Sequence, residues 1–178
     1  LRAGATELVA AARLAGLDVV IAGRDDAVAA RLGCDRVVSN GPRLPRAIRS
    51  LQQGGAVVLL VAAGGSPGLP AADVALGLRA GSGPPPWGAD LLAEDDGLAP
   101  AFLVLQASSV ARRVARESAV VATLGAATGA VAGLLGRPSG AVGRTMNAVN
   151  AASAVALANG TRAGIELARR PTPTWPDP

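Results

Sequence analysis

Residues 56–78 read Ala-Val-Val-Leu-Leu-Val-Ala-Ala-Gly-Gly-Ser-Pro-Gly-Leu-Pro-Ala-Ala-Asp-Val-Ala-Leu-Gly-Leu. The run Ala56–Val61 is the strongest strand signal in the chain, set off by Gly54-Gly55 before it and by a Gly/Pro-rich turn after it. Residues 71–78 read as another strand beyond that turn.

Working back from this stretch, Pro45 to Gln53 reads as a helix with proline in its first turn and Gly54-Gly55 at its end. Asp35–Val38 is a shorter strand. Ala27 to Leu32 is a helix that Asp25 or Asp26 can cap. Asp18-Val19-Val20-Ile21-Ala22 is a buried strand. Glu7 to Leu14 is a helix, with Leu8, Ala11, Ala12 and Leu14 near helical spacing and Gly16 as its stop. Strands alternating with helices imply parallel strands joined by right-handed crossovers, so residues up to about 100 are expected to form a partial Rossmann-like α/β layer. In such layers function sits on loops after the strands. Here those are Gly23–Asp26 and Ala62–Pro70.

Working forward, Gly81–Trp87 holds three consecutive prolines and is an extended loop that no helix crosses. Asp90-Leu91-Leu92 makes a short strand before Glu94-Asp95-Asp96. The last third changes character. Arg112, Arg113 and Arg116 precede Ser118–Gly136, an uncharged stretch of about 19 residues, close to the ~20 that span a bilayer. Gly125, Gly129 and Gly133 recur at the spacing that lets membrane helices approach closely. A second uncharged stretch, residues 145–161, holds Asn147, Asn150, Ser153 and Asn159, and Arg162, Arg169 and Arg170 follow it. Basic clusters outside both stretches fit a transmembrane hairpin with cytoplasmic ends, although Arg137 and Arg144 in the connecting turn count against that orientation. The expected domains are 1–110 (α/β), 111–170 (the hairpin) and a disordered tail, 171–178.

Composition excludes much chemistry. Of 178 residues, half are hydrophobic and only 2% aromatic, so the core is built from small and aliphatic side chains that must bring backbones close. Every basic residue is Arg; Lys, His and Tyr are absent. That removes a Ser–His triad, a His-ligated zinc site, a Walker A loop and a Schiff base. The single cysteine, Cys34, rules out an internal disulfide, and it reads as a small buried hydrophobe. A net charge of +4 without an aromatic–basic stripe is no nucleic-acid signature. The first segment reads as an amphipathic helix and not a signal peptide, and a start at Leu1 suggests a piece of a longer protein.

The order of these elements resembles the C-terminal region of P-type cation-transporting ATPases of the heavy-metal branch. Leu14–Arg24 resembles the family's segment ending in Thr-Gly-Asp, and Ala29–Cys34 resembles the Ala-x-x-Leu-Gly-Ile that follows it. Gln52–Val58 is similar to Leu-Gln-x-x-Gly-x-x-Val-Ala. Val61–Val74 resembles the loop Asp-Gly-Val-Asn-Asp-Ala-Pro-Ala-Leu-Lys-Ala-Ala-Asp-Val, and Ala89–Asp96 resembles Ala-Asp-Ile-Val-Leu-Leu-Asp-Asp. The Arg112–Arg116 lead into a hydrophobic hairpin resembles the final membrane pair. The resemblance runs collinearly over nearly the whole chain. It implies a haloacid-dehalogenase-like (HAD-like) phosphorylation domain, ATP, Mg2+ and transport of a metal cation. It further implies a cell-membrane location with the α/β part cytoplasmic, and as partner the rest of the same transporter or a neighbouring transporter half.

The departures fall on the chemistry. Ala22 and Arg24 stand where the family's phosphate-contacting loop has Thr and Asp. The phosphate-binding lysine would fall near Leu44–Arg46, and the chain has none. Val61, Gly64 and Gly65 stand where carboxylate and amide oxygens would hold the magnesium. The phosphorylated aspartate of the family lies upstream of this segment. Pro67, Leu69, Ala71, Ala72 and Asp73 are kept and read as scaffold. Phosphoryl transfer depends on charge stabilisation by metal and cation. The segment is therefore expected to be a pseudoenzyme that does not hydrolyse ATP alone, with no catalytic residue, no metal ligand and no cofactor of its own.

The degenerate loops at Gly23, Arg24, Gly64 and Gly65 remain candidates for anion contact through backbone N–H groups, against the plainer reading of tight turns. Arg24-Asp25-Asp26 and Glu94-Asp95-Asp96 read as solvated turns. Asn147, Asn150 and Asn159 either line a cation path or hydrogen-bond between helices; offsets of three and twelve residues place them only roughly on one face. The contrasting reading is a soluble, non-catalytic α/β binding or scaffolding module with the hairpin packed on its sheet. An arginine-using dinucleotide enzyme lacks a general acid or base suited to neutral pH.

Overall fold

The computed structural model describes residues 2–34, 36–79, 81–94, 97–135, 137–171 and 173. In chain order its elements are α1 (Ala5–Leu14), β1 (Val20–Ala22), α2 (Asp26–Arg31), β2 (Arg36–Val38), α3 (Leu44–Gln53), β3 (Leu59–Ala63), β4 (Val74–Leu78), β5 (Leu91–Ala93), α4 (Ala99–Leu134) and α5 (Ala141–Ala168). Two compact units divide the chain after Leu105, and α4 contributes to both.

The first unit is mixed α/β with parallel strands throughout. Ile21 of β1 lies opposite Val37 of β2. Val61 of β3 lies opposite Leu76 of β4, and Gly77 of β4 opposite Leu92 of β5. Among the described residues the strands form two sheets, β1-β2 and β3-β4-β5, with no hydrogen-bonded ladder between them, rather than the single layer expected from the sequence. Strand periodicity reports that strands exist and are buried; it carries no information on which edges meet. One helix serves both sheets. Val9 of α1 joins the cluster of Ala29 and Cys34, against which Val19, Ile21 and Val37 pack. Its neighbour Leu8, about 100° further round the helix, packs with Leu59 and Val61 on the cluster of Leu76, Leu78 and Ala101.

The centre is β4, with Ala75, Leu76, Gly77 and Leu78 all buried. Alternation along β3 sorts its neighbours. Leu59 and Val61 face α1 and the start of α4, whereas Leu60 closes with Leu44 of α3 on Gly68. A Cβ at Gly68 would lie 2.6 Å from Leu44 Cδ2 and 3.0 Å from Leu60 Cδ2, so a side chain there would have to displace the buried Leu44. Gly77 is the same case, since a Cβ would run into the buried Pro86 ring.

Strand boundaries differ from the sequence reading. β3 begins at Leu59 rather than Ala56, because Ala56 and Val57 are exposed, Val57 at 85%. A 3-10 turn over Leu69–Ala71 takes up the start of the expected strand at 71–78, and β4 begins at Val74. Asp35, Asp95, Asp96 and all of the tail expected at 171–178 except Pro171 and Pro173 lie outside the described residues.

In the second unit the two helices are longer than the expected 118–136 and 145–161. α4 starts at Ala99, so Arg112, Arg113 and Arg116 are on the helix itself and not on a lead-in. α5 runs to Ala168 and carries Arg162. The helices are antiparallel: Gly160 lies against Val114, Gly125 against Ala152 and Gly129 against Thr145. A Cβ at Gly125 would collide with the Ala152 methyl, and one at Gly129 would sit 3.2 Å from the Thr145 carbonyl oxygen. The four-residue glycine spacing is thus the seam of the hairpin. Among the described residues one helix, α4, is long and apolar enough to cross a membrane, with a mean hydropathy of 1.3 over its most apolar window and 11% of that window buried.

Candidate functional site

The loops after β1 and β3 end their strands in the same way. The Gly23 N–H donates to the Val38 carbonyl at 3.0 Å, and the Gly64 N–H to the Leu78 carbonyl at 3.0 Å. Each is the last rung of a parallel ladder, so neither N–H points at open space. Gly64 has φ 70°, the left-handed conformation that lets the chain leave the sheet sharply. Beyond it, the Gly68 N–H donates to Ser66 Oγ at 3.3 Å, the Leu69 N–H to the Ser66 carbonyl at 3.2 Å, and the Ala71 N–H to the Gly68 carbonyl at 3.0 Å. Pro67 has no donor. A nest needs successive N–H groups converging on one point. Here most of the loop's donors bond within the loop, and Gly65 is exposed at its crest.

Of the two aspartates that the sequence offers as a cap for α2, Asp25 takes the role: its Oδ1 accepts from the Ala27 N–H at 3.0 Å and from the Val28 N–H at 3.2 Å. Arg24 beside it is exposed. Two other aspartates do structural work at the opposite, N-terminal end of the strands. Asp73 Oδ2 accepts the Val58 N–H at 2.8 Å, and Asp90 Oδ2 accepts the Ala75 N–H at 2.8 Å. The Val58 N–H, with help from Gln52, holds the Asp73 carboxyl below the usual carboxylate range. Among the described residues no three His, Cys, Asp or Glu side chains come together as a metal-binding group.

On the hairpin the three asparagines part company. Asn147 and Asn150 are exposed on α5. Asn159 is half-buried and donates through Nδ2 to Glu117 Oε2 at 2.6 Å, an interhelical bond of the kind weighed above. Thr145 Oγ1 adds a second tie, to the Gly129 carbonyl at 2.9 Å. Near the turn, Arg144 donates through Nε to the Ala132 carbonyl at 2.7 Å and through a terminal nitrogen to the Arg137 carbonyl at 3.2 Å. The Ala132 carbonyl belongs to the last turn of α4, where carbonyls run out of intrahelical donors, and the Arg137 carbonyl beyond the helix also accepts the Gly140 N–H.

At the other end of the hairpin the two basic clusters are accompanied by Glu117 and Glu166, which the sequence reading did not single out. Arg162 Nε donates to Glu166 at 2.8 Å, and Arg113 stands 3.8 Å from Glu117. The Arg162 bond, with added charge from Arg113 and Arg170, holds the Glu166 carboxyl below its usual range. The signal available in the sequence was the four-residue spacing of Arg113 with Glu117 and of Arg162 with Glu166.

Comparison with models of known families gives no match, and comparison with curated proteins gives no significant one. The functional reading therefore rests on the residues themselves.

Proposed function

We propose that the chain is the C-terminal part of a P-type cation-transporting ATPase whose own phosphate- and magnesium-binding positions are lost. In this reading the first unit is a HAD-like phosphorylation-domain remnant on the cytoplasmic side of the cell membrane, and the second is a membrane hairpin. The observation that carries the proposal is α4. It starts among the buried residues Ala101 and Leu105 of an α/β unit and runs on, unbroken, into an uncharged stretch. There Val120, Leu124, Val131 and Leu134 are exposed. Exposed apolar side chains along a whole helix mark a surface meant for lipid or protein and not for water.

The loop geometry supports a non-catalytic role. Gly23 and Gly64 spend their N–H groups on the sheet, and no carboxylate follows Val61 in the turn. The chain then acts as a platform and membrane anchor for a transporter, not as its engine. Membrane fractionation with carbonate extraction is the test. Retention in the pellet, with no ATP hydrolysis by the purified chain, is the expected result. Release into the soluble fraction overturns the membrane hairpin.

A second reading has one observation in its favour. α5 falls short of the apolarity at which α4 passes, and it exposes Asn147 and Asn150. This suits a soluble α/β scaffolding module, which the same fractionation would identify.

A further inference from the structure

We propose that the end of the hairpin remote from its turn is a binding site for the phosphate headgroups of anionic phospholipids. The inference rests on the membrane reading above and adds to it a lipid class. The antiparallel register brings two basic segments to one level, since Gly160 lies against Val114 and Asn159 bonds Glu117. Arg112, Arg113 and Arg116 of α4 thus lie near the level of Arg162 of α5, and Arg169 and Arg170 follow about two turns further on, at the end of α5. Among residues 106–171 the acidic side chains are Glu117 and Glu166, and they pair with Arg113 and Arg162. The turn end has Arg137 and Arg144 alone, and Arg144 is engaged with backbone carbonyls.

A surface groove runs along α5 through this region, with apolar and basic side chains interleaved. Leu157, Ala158, Thr161 and Ile165 line it together with Arg162, Arg169 and Glu166, and Glu166 is paired with Arg162. Leu157 is 73% exposed, and Arg116 and Arg169 are exposed as well. Its apolar side chains suit an acyl chain, and its guanidinium groups suit a phosphate. All the cations are guanidinium groups, whose planar fork suits two phosphate oxygens at once. A basic collar beside an apolar span is the pattern that anionic leaflets attract. A nucleic acid would want aromatic side chains among the arginines, and this surface has none among its described residues.

The test places the whole chain in nanodiscs of phosphatidylcholine, with or without phosphatidylglycerol, and reads retained lipid by native mass spectrometry together with the thermal midpoint. Phosphatidylglycerol is expected to be retained preferentially and to raise the midpoint. An Arg116→Gln/Arg169→Gln double variant, whose two side chains make no hydrogen bond or ion pair among the described residues, is expected to weaken that retention on the order of ten-fold or more. Inorganic phosphate at matched ionic strength is expected to leave the midpoint unchanged. Equal retention of the two lipids, an unaffected double variant, or an equal shift with phosphate overturns the lipid assignment. A chain that does not enter the discs and is released by carbonate refutes the membrane reading itself, which is a separate outcome.

Discussion

The Asp73 carboxylate accepts the Val58 N–H at 2.8 Å, and the Asp73 N–H returns a bond to the Val58 carbonyl at 3.1 Å. Asp90 repeats this clasp on Ala75, with bonds of 2.8 and 3.0 Å. Each clasp sits just before the first rung of a parallel ladder, β3–β4 in one case and β4–β5 in the other. A side chain there satisfies an N–H that the next strand's backbone does not reach.

This predicts an acid limb in stability. The Asp73 carboxyl is held below its ordinary value in the folded chain, chiefly by the Val58 N–H. Its contribution is therefore complete above the unfolded value of about 4. It is lost as pH falls through the lowered folded value. Asp73→Asn is expected to flatten the fall of the thermal midpoint below about pH 4 and to lower the midpoint at neutral pH. Calorimetry across that range reads both. An unchanged acid limb in the variant would show that the clasp contributes nothing.

A second prediction concerns Gly77. Gly77→Val would drive a side chain into the buried Pro86 and toward Ala89, whose methyl lies 3.0 Å from a built Cβ. Overpacking of this kind costs about 1–3 kcal/mol. Denaturant unfolding measures the loss. Trp87, next to Pro86 and 73% exposed, is expected to report the displacement as a change in fluorescence.

The hairpin seam predicts a graded series. Gly125→Ala meets the Ala152 methyl, and Gly129→Ala meets the Thr145 backbone at 3.2 Å. Gly164→Ala meets nothing within 4 Å and serves as the control. The first two are expected to destabilise the helix pair by about 1–3 kcal/mol, and the control to be neutral or stabilising, as Ala favours a helix over Gly. Thermal midpoints in a mild detergent would rank them, and equal effects at all three positions would refute the seam.

Hydrogen exchange should separate the two sheets. β4 is buried and paired on both sides, whereas β1 and β2 have three residues each and one partner each. Amides of Ala75–Leu78 are expected to exchange far more slowly than those of Val20–Ala22. Equal protection would mean that the β1-β2 sheet is closed on its free edge by something further.

Much of the first unit was legible from local pattern. Asp25 as a cap, proline at the start of α3, Gly16 and Gly54 as stops, and the aliphatic strands all act within a few residues of themselves. The places where sequence reading slipped are non-local. Val57 looks like strand and is exposed, because pairing with β4 begins only at Leu59. The start of α4 was placed too late because Arg112, Arg113 and Arg116 break the apolar run without breaking the helix. For the candidate residues Gly23 and Gly64, which the sequence leaves between anion contact and tight turns, both N–H groups are bonded across the sheet.

The sequence by itself determined the alternation of helix and strand, the parallel sense of the strands, the arginine-only basic chemistry and the uncharged stretch with its glycines. These follow from composition, periodicity and caps, which are properties of short segments. Only the tertiary structure decided that the strands form two sheets under one helix, that Gly68 and Gly77 are glycines for packing, and that Asn159 finds Glu117 while Asn147 and Asn150 stay exposed. Each of these depends on which distant surfaces meet and on how closely backbones approach, which no spacing along the chain encodes.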